Sequence, residues 1–129
     1  MLPQPWFLGS ECDGGFAEYV VVASRHAHAI ESQLSDVELA SFPCSYSTAE
    51  NMLTKAEVKA GETVLVTGAS GGVGSAAVQL VIARGAKVIA VTSAQKFEQL
   101  KALGASGTLA RDASVKAALG ENSVDVVVD

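Results

Sequence analysis

The sequence predicts an α/β fold: an open parallel sheet with helices on both faces, preceded by a segment of different character. Three observations carry this. From Thr63 onward, short runs of Val, Ile, Leu and Ala alternate with helix-like stretches, the rhythm of parallel strands joined by right-handed crossovers. The strands are almost wholly apolar, as burial on both faces requires. A β-branched strand also runs straight into a glycine turn that opens an alanine-rich helix, Thr63-Val-Leu-Val-Thr-Gly-Ala-Ser-Gly-Gly-Val-Gly-Ser-Ala-Ala.

The elements follow in order. Residues 1–15 read as a loop rich in Pro and Gly, and Phe16–Ala23 as a strand centred on Tyr19-Val-Val-Val22. The stretch from Ser24 to Ser35 is irregular, with a short strand at Ala27–Ile30. Ser35 and Glu38 have the spacing of a capping box and start a helix that Pro43 interrupts; Ser45–Lys55 forms the next helix. Strand Thr63–Thr67, helix Gly72–Arg84, strand Lys87–Thr92 and helix Ala94–Leu103 come next. A strand near Thr108–Leu109, a helix from Asp112 to Leu119 and a strand Val124–Val128 complete the pattern. Gly85 and Gly104 sit just past their helices, where a left-handed residue is wanted. The expected strand order is 3-2-1-4.

Bulk properties narrow the function. The 129 residues are 49% apolar and 18% charged, which fits a folded soluble domain. A net charge of −5 with nine scattered Lys and Arg argues against nucleic acid as a partner. No apolar run approaches the roughly 20 residues of a membrane span, and the start lacks the pattern of a signal peptide. Two cysteines 32 positions apart suggest thiols or metal ligands more than a disulfide framework, so a reducing cytoplasm is the expected location. The chain begins in a Pro-rich loop and stops on the strand Val124–Val128, which reads as a piece of a longer protein.

The glycine turn is the first candidate site. Glycines at 71, 72 and 74 remove Cβ atoms that would hold an anion off the backbone, and the new helix points free N–H groups at it. A dinucleotide pyrophosphate, contacted by Ala69, Ser70, Gly71, Gly72, Val73 and Gly74, suits that arrangement. No Lys-Ser or Lys-Thr pair follows, so it is not a P-loop. At the end of the second strand, where an NAD site places a carboxylate, the chain has Thr92, Ser93 and Lys96 instead. Two hydroxyls and an ammonium suit a 2′-phosphate, favouring NADP(H) over NAD(H).

Taken together, Gly14-Gly-Phe-Ala-Glu-Tyr19, the Pro43-Cys44…Ser47-Thr48-Ala49 segment, Ala60-Gly-Glu-Thr-Val-Leu-Val66 and Gly68-Ala-Ser-Gly-Gly-Val-Gly74 resemble the medium-chain dehydrogenase/reductase superfamily. That superfamily includes zinc-dependent alcohol dehydrogenases and zinc-free quinone oxidoreductases. The resemblance implies that residues 1–45 are the last part of a GroES-like, β-rich catalytic domain and 46–129 the first part of a Rossmann domain. It also implies that Cys44 is a catalytic zinc ligand, that Thr48 approaches the nicotinamide and that Val73 backs the ring. The intact protein would then be a homo-oligomer transferring hydride between NADP(H) and an alcohol or carbonyl with zinc assistance, and this piece alone would be inactive.

Two alternatives stand beside it: a zinc-free NADPH quinone oxidoreductase or enone reductase, and a non-catalytic module that pairs through the strand Val124–Val128. Ala69, in place of the first glycine of the strict fingerprint, suits the reductase branches. Glu50 replaces the aromatic residue of many members, which puts the substrate entrance in question. Cys12 matches no zinc position and reads as a loop thiol. His26 and His28, on one face of the expected strand, read as surface residues rather than metal ligands. The turn also fits the short-chain dehydrogenase pattern, but the Tyr-x-x-x-Lys pair of that family is absent.

Overall fold

The computed structural model describes residues 7–129, so the part of the expected loop at 1–6 lies outside the described residues. The chain divides into two units, Met1–Gln33 and Leu34–Asp129. In the second, α1 (Asp36–Ala40), α2 (Phe42–Lys55), β1 (Thr63–Val66), α3 (Gly72–Ala83), β2 (Lys87–Thr92), α4 (Phe97–Ala102), β3 (Gly107–Ala110), α5 (Val115–Leu119) and β4 (Val126–Val128) follow in sequence.

The four strands form one parallel sheet in the order β3-β2-β1-β4, as the alternation predicts. Val64 pairs with Val88 on one side and Val126 on the other, and Val66 with Ala90 and Val128. Central position explains why β1 is buried from Val64 to Val66. Its start is tied by Asp125, whose Oδ2 accepts from Thr63 N at 2.8 Å while its own N–H donates to Thr63 O at 2.8 Å. That residue thereby anchors β4 from outside, and the strand is shorter than the expected Val124–Val128.

Helix α3 buries Ala76, Ala77, Val78 and Val81, and α2 adds Ala49 and Leu53 to the same apolar cluster as Val64, Val66 and Val88. Alanines on α3 let it approach its neighbours closely. Gly85 and Gly104 adopt positive φ of 74° and 102° just past their helices, where a Cβ would be strained.

Pro43 does not end a helix. It sits in the first turn of α2, where its missing N–H would have had no intrahelical partner. The capping box forms as expected: Ser35 Oγ accepts from Glu38 N, and the Glu38 carboxylate accepts from Ser35 N at 2.8 Å. Helix α5 starts at Val115 rather than Asp112, because Ser114 caps it by accepting from Ala117 N at 3.3 Å.

The first unit departs from the sequence reading. Among the described residues it holds one isolated bridge, Leu8 to Cys12, and a 3-10 turn at Ser24–His26. The expected strands Phe16–Ala23 and Ala27–Ile30 do not form. A strand is held by hydrogen bonds to a neighbour, and among the described residues 16–23 pairs with no strand; Phe16, Tyr19 and Val21 are exposed. No helix among the described residues is long and apolar enough to cross a membrane.

Candidate functional site

The site is built where β1 turns into α3. Gly71 is the N-cap, in extended conformation, and its N–H donates to Gly68 O at 2.8 Å to close the turn. Ser75 N donates back to Gly71 O at 2.8 Å, which starts the helix. No side chain caps α3, so the N–H groups of Gly72, Val73 and Gly74 face outward at the positive end of a 12-residue helix. A cleft of about 440 Å³ lies at this end, walled by Thr48 and Met52 of α2, by Val66, Thr67, Gly68, Gly71, Val73 and Gly74, and by Val128 and Asp129. Ala69, Ser70 and Gly72 do not line it.

Thr48, Gly71, Val73 and Gly74, all singled out from sequence, therefore share one cleft. Two of the glycines are also required by packing. A Cβ on Gly72 would lie 2.9 Å from Ser45 Oγ, and one on Gly74 would lie 2.8 Å from Ala69 Cα, against backbone. At both positions the missing Cβ makes room for the protein itself. Ala69 is fully buried, its N–H donating to Val91 O at 3.1 Å, so it joins the turn to β2.

At the end of β2, the three expected residues separate. Thr92 has no exposed surface, and its Oγ1 donates to Ser70 Oγ at 2.9 Å, so it cannot itself meet a ligand. Ser93 is half-buried and Lys96 exposed, with no ion pair to Lys96 among the described residues. Hydroxyl and ammonium stay available there.

Cys44 is an exposed thiol on α2, one helical turn before Thr48 and therefore on the same side of the helix. It is not among the residues walling the cleft. Zinc of the catalytic type needs about three protein ligands, and the described residues contain no cluster of His, Cys, Asp or Glu able to hold a metal. The residues present do not by themselves fit zinc. His26 lies in the 3-10 turn and accepts from Arg25 Nε at 3.2 Å, so the shared strand face with His28 is not formed. Cys12 is half-buried and free, its Sγ 3.9 Å from Phe7 O. Glu50 faces α3, where its carboxylate pairs with Arg84 at 2.5 Å; its place is a helix–helix tie.

Sequence reading missed Thr67 and Asp129, which meet at the cleft floor. Thr67 N donates to Val128 O at 2.9 Å and the Thr67 hydroxyl donates to the Asp129 carboxylate. The signal was the strand order, since the reversal between β1 and β4 is where such sheets bind ligands.

Comparison with known proteins agrees with this geometry. Residues 64–129, the sheet with helices α3, α4 and α5, match the model of the NAD dependent epimerase/dehydratase family. The quinone oxidoreductase of Pongo abelii is 33% identical over 130 residues, 95% of this chain and 40% of that protein. The solved quinone oxidoreductase of Thermus thermophilus, also determined with NADPH, has a TM-score of 0.80 at 35% identity, over 90% of this chain and 40% of its own. A cobalt- and zinc-bound thermostable alcohol dehydrogenase from Pyrobaculum aerophilum has a TM-score of 0.78 at 37% identity, over 93% of this chain and 35% of its own. The chain thus spans about two fifths of the length of the curated quinone oxidoreductases it matches. These full-chain matches extend through the segment before β1, which the family model does not reach. Residues 64–129 therefore carry the nucleotide-binding fold of the NAD dependent epimerase/dehydratase family, and the chain as a whole belongs to the medium-chain dehydrogenase/reductase superfamily.

Proposed function

We propose that this chain supplies the cofactor cleft of an NADP(H)-dependent oxidoreductase acting on a small alcohol, carbonyl or quinone. The observation that carries the reading is the uncapped N-terminus of α3 opening onto a cleft whose far wall holds Thr48. Gly72, Val73 and Gly74 would donate their N–H groups to the pyrophosphate, and the helix dipole would offset its charge. Ser93 and Lys96 would receive a 2′-phosphate, where an NAD site has a carboxylate. Bound there, the nicotinamide would supply or accept the hydride. Thr48 and Val73 would orient the ring, and apolar Met52 and Val128 would keep water from it. On this reading residues 46–129 are the cofactor domain and 1–45 belong to the domain that completes the substrate site.

Calorimetric titration of the intact protein with NADPH and NADH tests it. Saturable binding at one site, tighter for NADPH, is expected; binding of neither dinucleotide would overturn the assignment.

A second reading, zinc-assisted alcohol oxidation, is favoured by the exposed Cys44 thiol one turn from Thr48. It requires further ligands from outside the described residues. Metal analysis of the intact protein and of Cys44→Ser decides between the branches: loss of stoichiometric zinc supports it, and a metal-free active protein ends it.

A further inference from the structure

Thr92 is the one buried polar side chain among the described residues, and it sits at the end of β2 with no surface exposed. Its Oγ1 is 2.9 Å from Ser70 Oγ, and Ser70 is half-buried in the turn that leads into α3. A buried hydroxyl has to donate, because an O–H left unpaired away from water bears the whole desolvation penalty. Ser70 Oγ is the acceptor in reach, so the proton on the line between them belongs to Thr92. Ser70 accepts along that direction, and its own proton must point elsewhere. The backbone on one side of Ser70 is pinned as well, by the 3.1 Å bond from Ala69 N to Val91 O. Thr92 therefore orients the Ser70 hydroxyl, which lies in the turn between the cleft residues Gly68 and Gly71.

We propose that Thr92 is a positioning residue that makes Ser70 a hydroxyl donor toward a phosphate of the dinucleotide. This rests on the cofactor reading above and deepens it. Thr92 acts through Ser70 rather than touching the ligand.

The test is NADPH and NADH affinity by fluorescence titration of the intact protein, with thermal midpoints measured without cofactor. Thr92→Val is expected to weaken NADPH binding by about fivefold, the effect of one hydrogen bond. Its midpoint should hardly move, since Val fills similar space and the half-exposed Ser70 can turn to water. Ser70→Ala should weaken binding by the same factor, Thr92→Ser should retain it, and the double variant Thr92→Val/Ser70→Ala should bind no worse than Ser70→Ala. Loss with both dinucleotides assigns the donor to the pyrophosphate, and loss with NADPH alone to the 2′-phosphate. Unchanged affinity in Ser70→Ala or Thr92→Val, or additive losses in the double variant, would overturn the proposal. A wild-type protein that binds neither dinucleotide would instead remove the cofactor reading beneath it.

Discussion

Ser45 Oγ lies 2.9 Å from the point where a Cβ on Gly72 would stand, so α2 rests directly on the first residue of α3. Three residues further along α2, Thr48 reaches the cleft that α3 opens onto. The helix bearing the candidate catalytic residues and the turn bearing the candidate phosphate donors are thus in contact, and their spacing is set by a glycine.

That contact predicts unequal effects at two glycines. In Gly72→Ala the clash is with a hydroxyl that can rotate to another staggered position, so stability should change by no more than about 1 kcal/mol. In Gly74→Ala the new methyl meets Gly68 O and, at 2.8 Å, Ala69 Cα, neither of which can turn aside. A loss of about 3 kcal/mol is expected there. Urea denaturation midpoints compare them, and equal losses would contradict the packing.

Lys96 should govern the choice between dinucleotides. Removing the ammonium in Lys96→Ala is expected to raise the NADPH dissociation constant about tenfold, the range of a charge-assisted contact, and to leave NADH unaffected. A parallel loss for both would place the lysine away from the 2′-phosphate.

The pair of Glu50 and Arg84 should matter little. Their side chains are 52% and 23% exposed, so a double-mutant cycle should give at most about 1 kcal/mol, reduced further by salt. NADPH affinity should be unchanged in Glu50→Ala. A large effect on binding would return Glu50 to the substrate entrance.

Sheet order and the glycine turn are legible in the sequence because they depend on local pattern: apolar runs of strand length, helix-length spacers and a strand-to-helix glycine cluster. Residues 16–23 have the same local pattern and form no strand, because pairing needs a neighbour that the pattern does not supply. Thr92 escapes a sequence reading for a related reason. A threonine at a strand end suits a ligand or a buried neighbour equally well, and only the position of Ser70 decides. Gly72 and Gly74 read from sequence as openings for an anion, and their packing against Ser45 and Ala69 is visible only in the fold. Asp129 has no motif of its own, and only the strand reversal beside β1 points to it.

A pH effect is expected at α1. The Ser35 hydroxyl, donating to Glu38 Oε2 at 2.7 Å, and then the Ser35 N–H hold the Glu38 carboxyl below its usual 4.5. A depressed folded value means a stabilising contribution that is complete above 4.5 and disappears as pH falls through the lower folded value. Carbon-detected NMR titration should show Glu38 titrating below 4.5, and Ser35→Ala should return it toward that value. No change in Ser35→Ala would mean that the capping box is not formed in solution.

Thr67 donates both of its long-range bonds to residues about sixty positions later, the Val128 carbonyl and the Asp129 carboxylate. During synthesis, the residue that leads into the glycine turn must wait for residue 129 to leave the ribosome before its partners arrive. Until then the turn has its local bonds but not the two that join it to the end of β4.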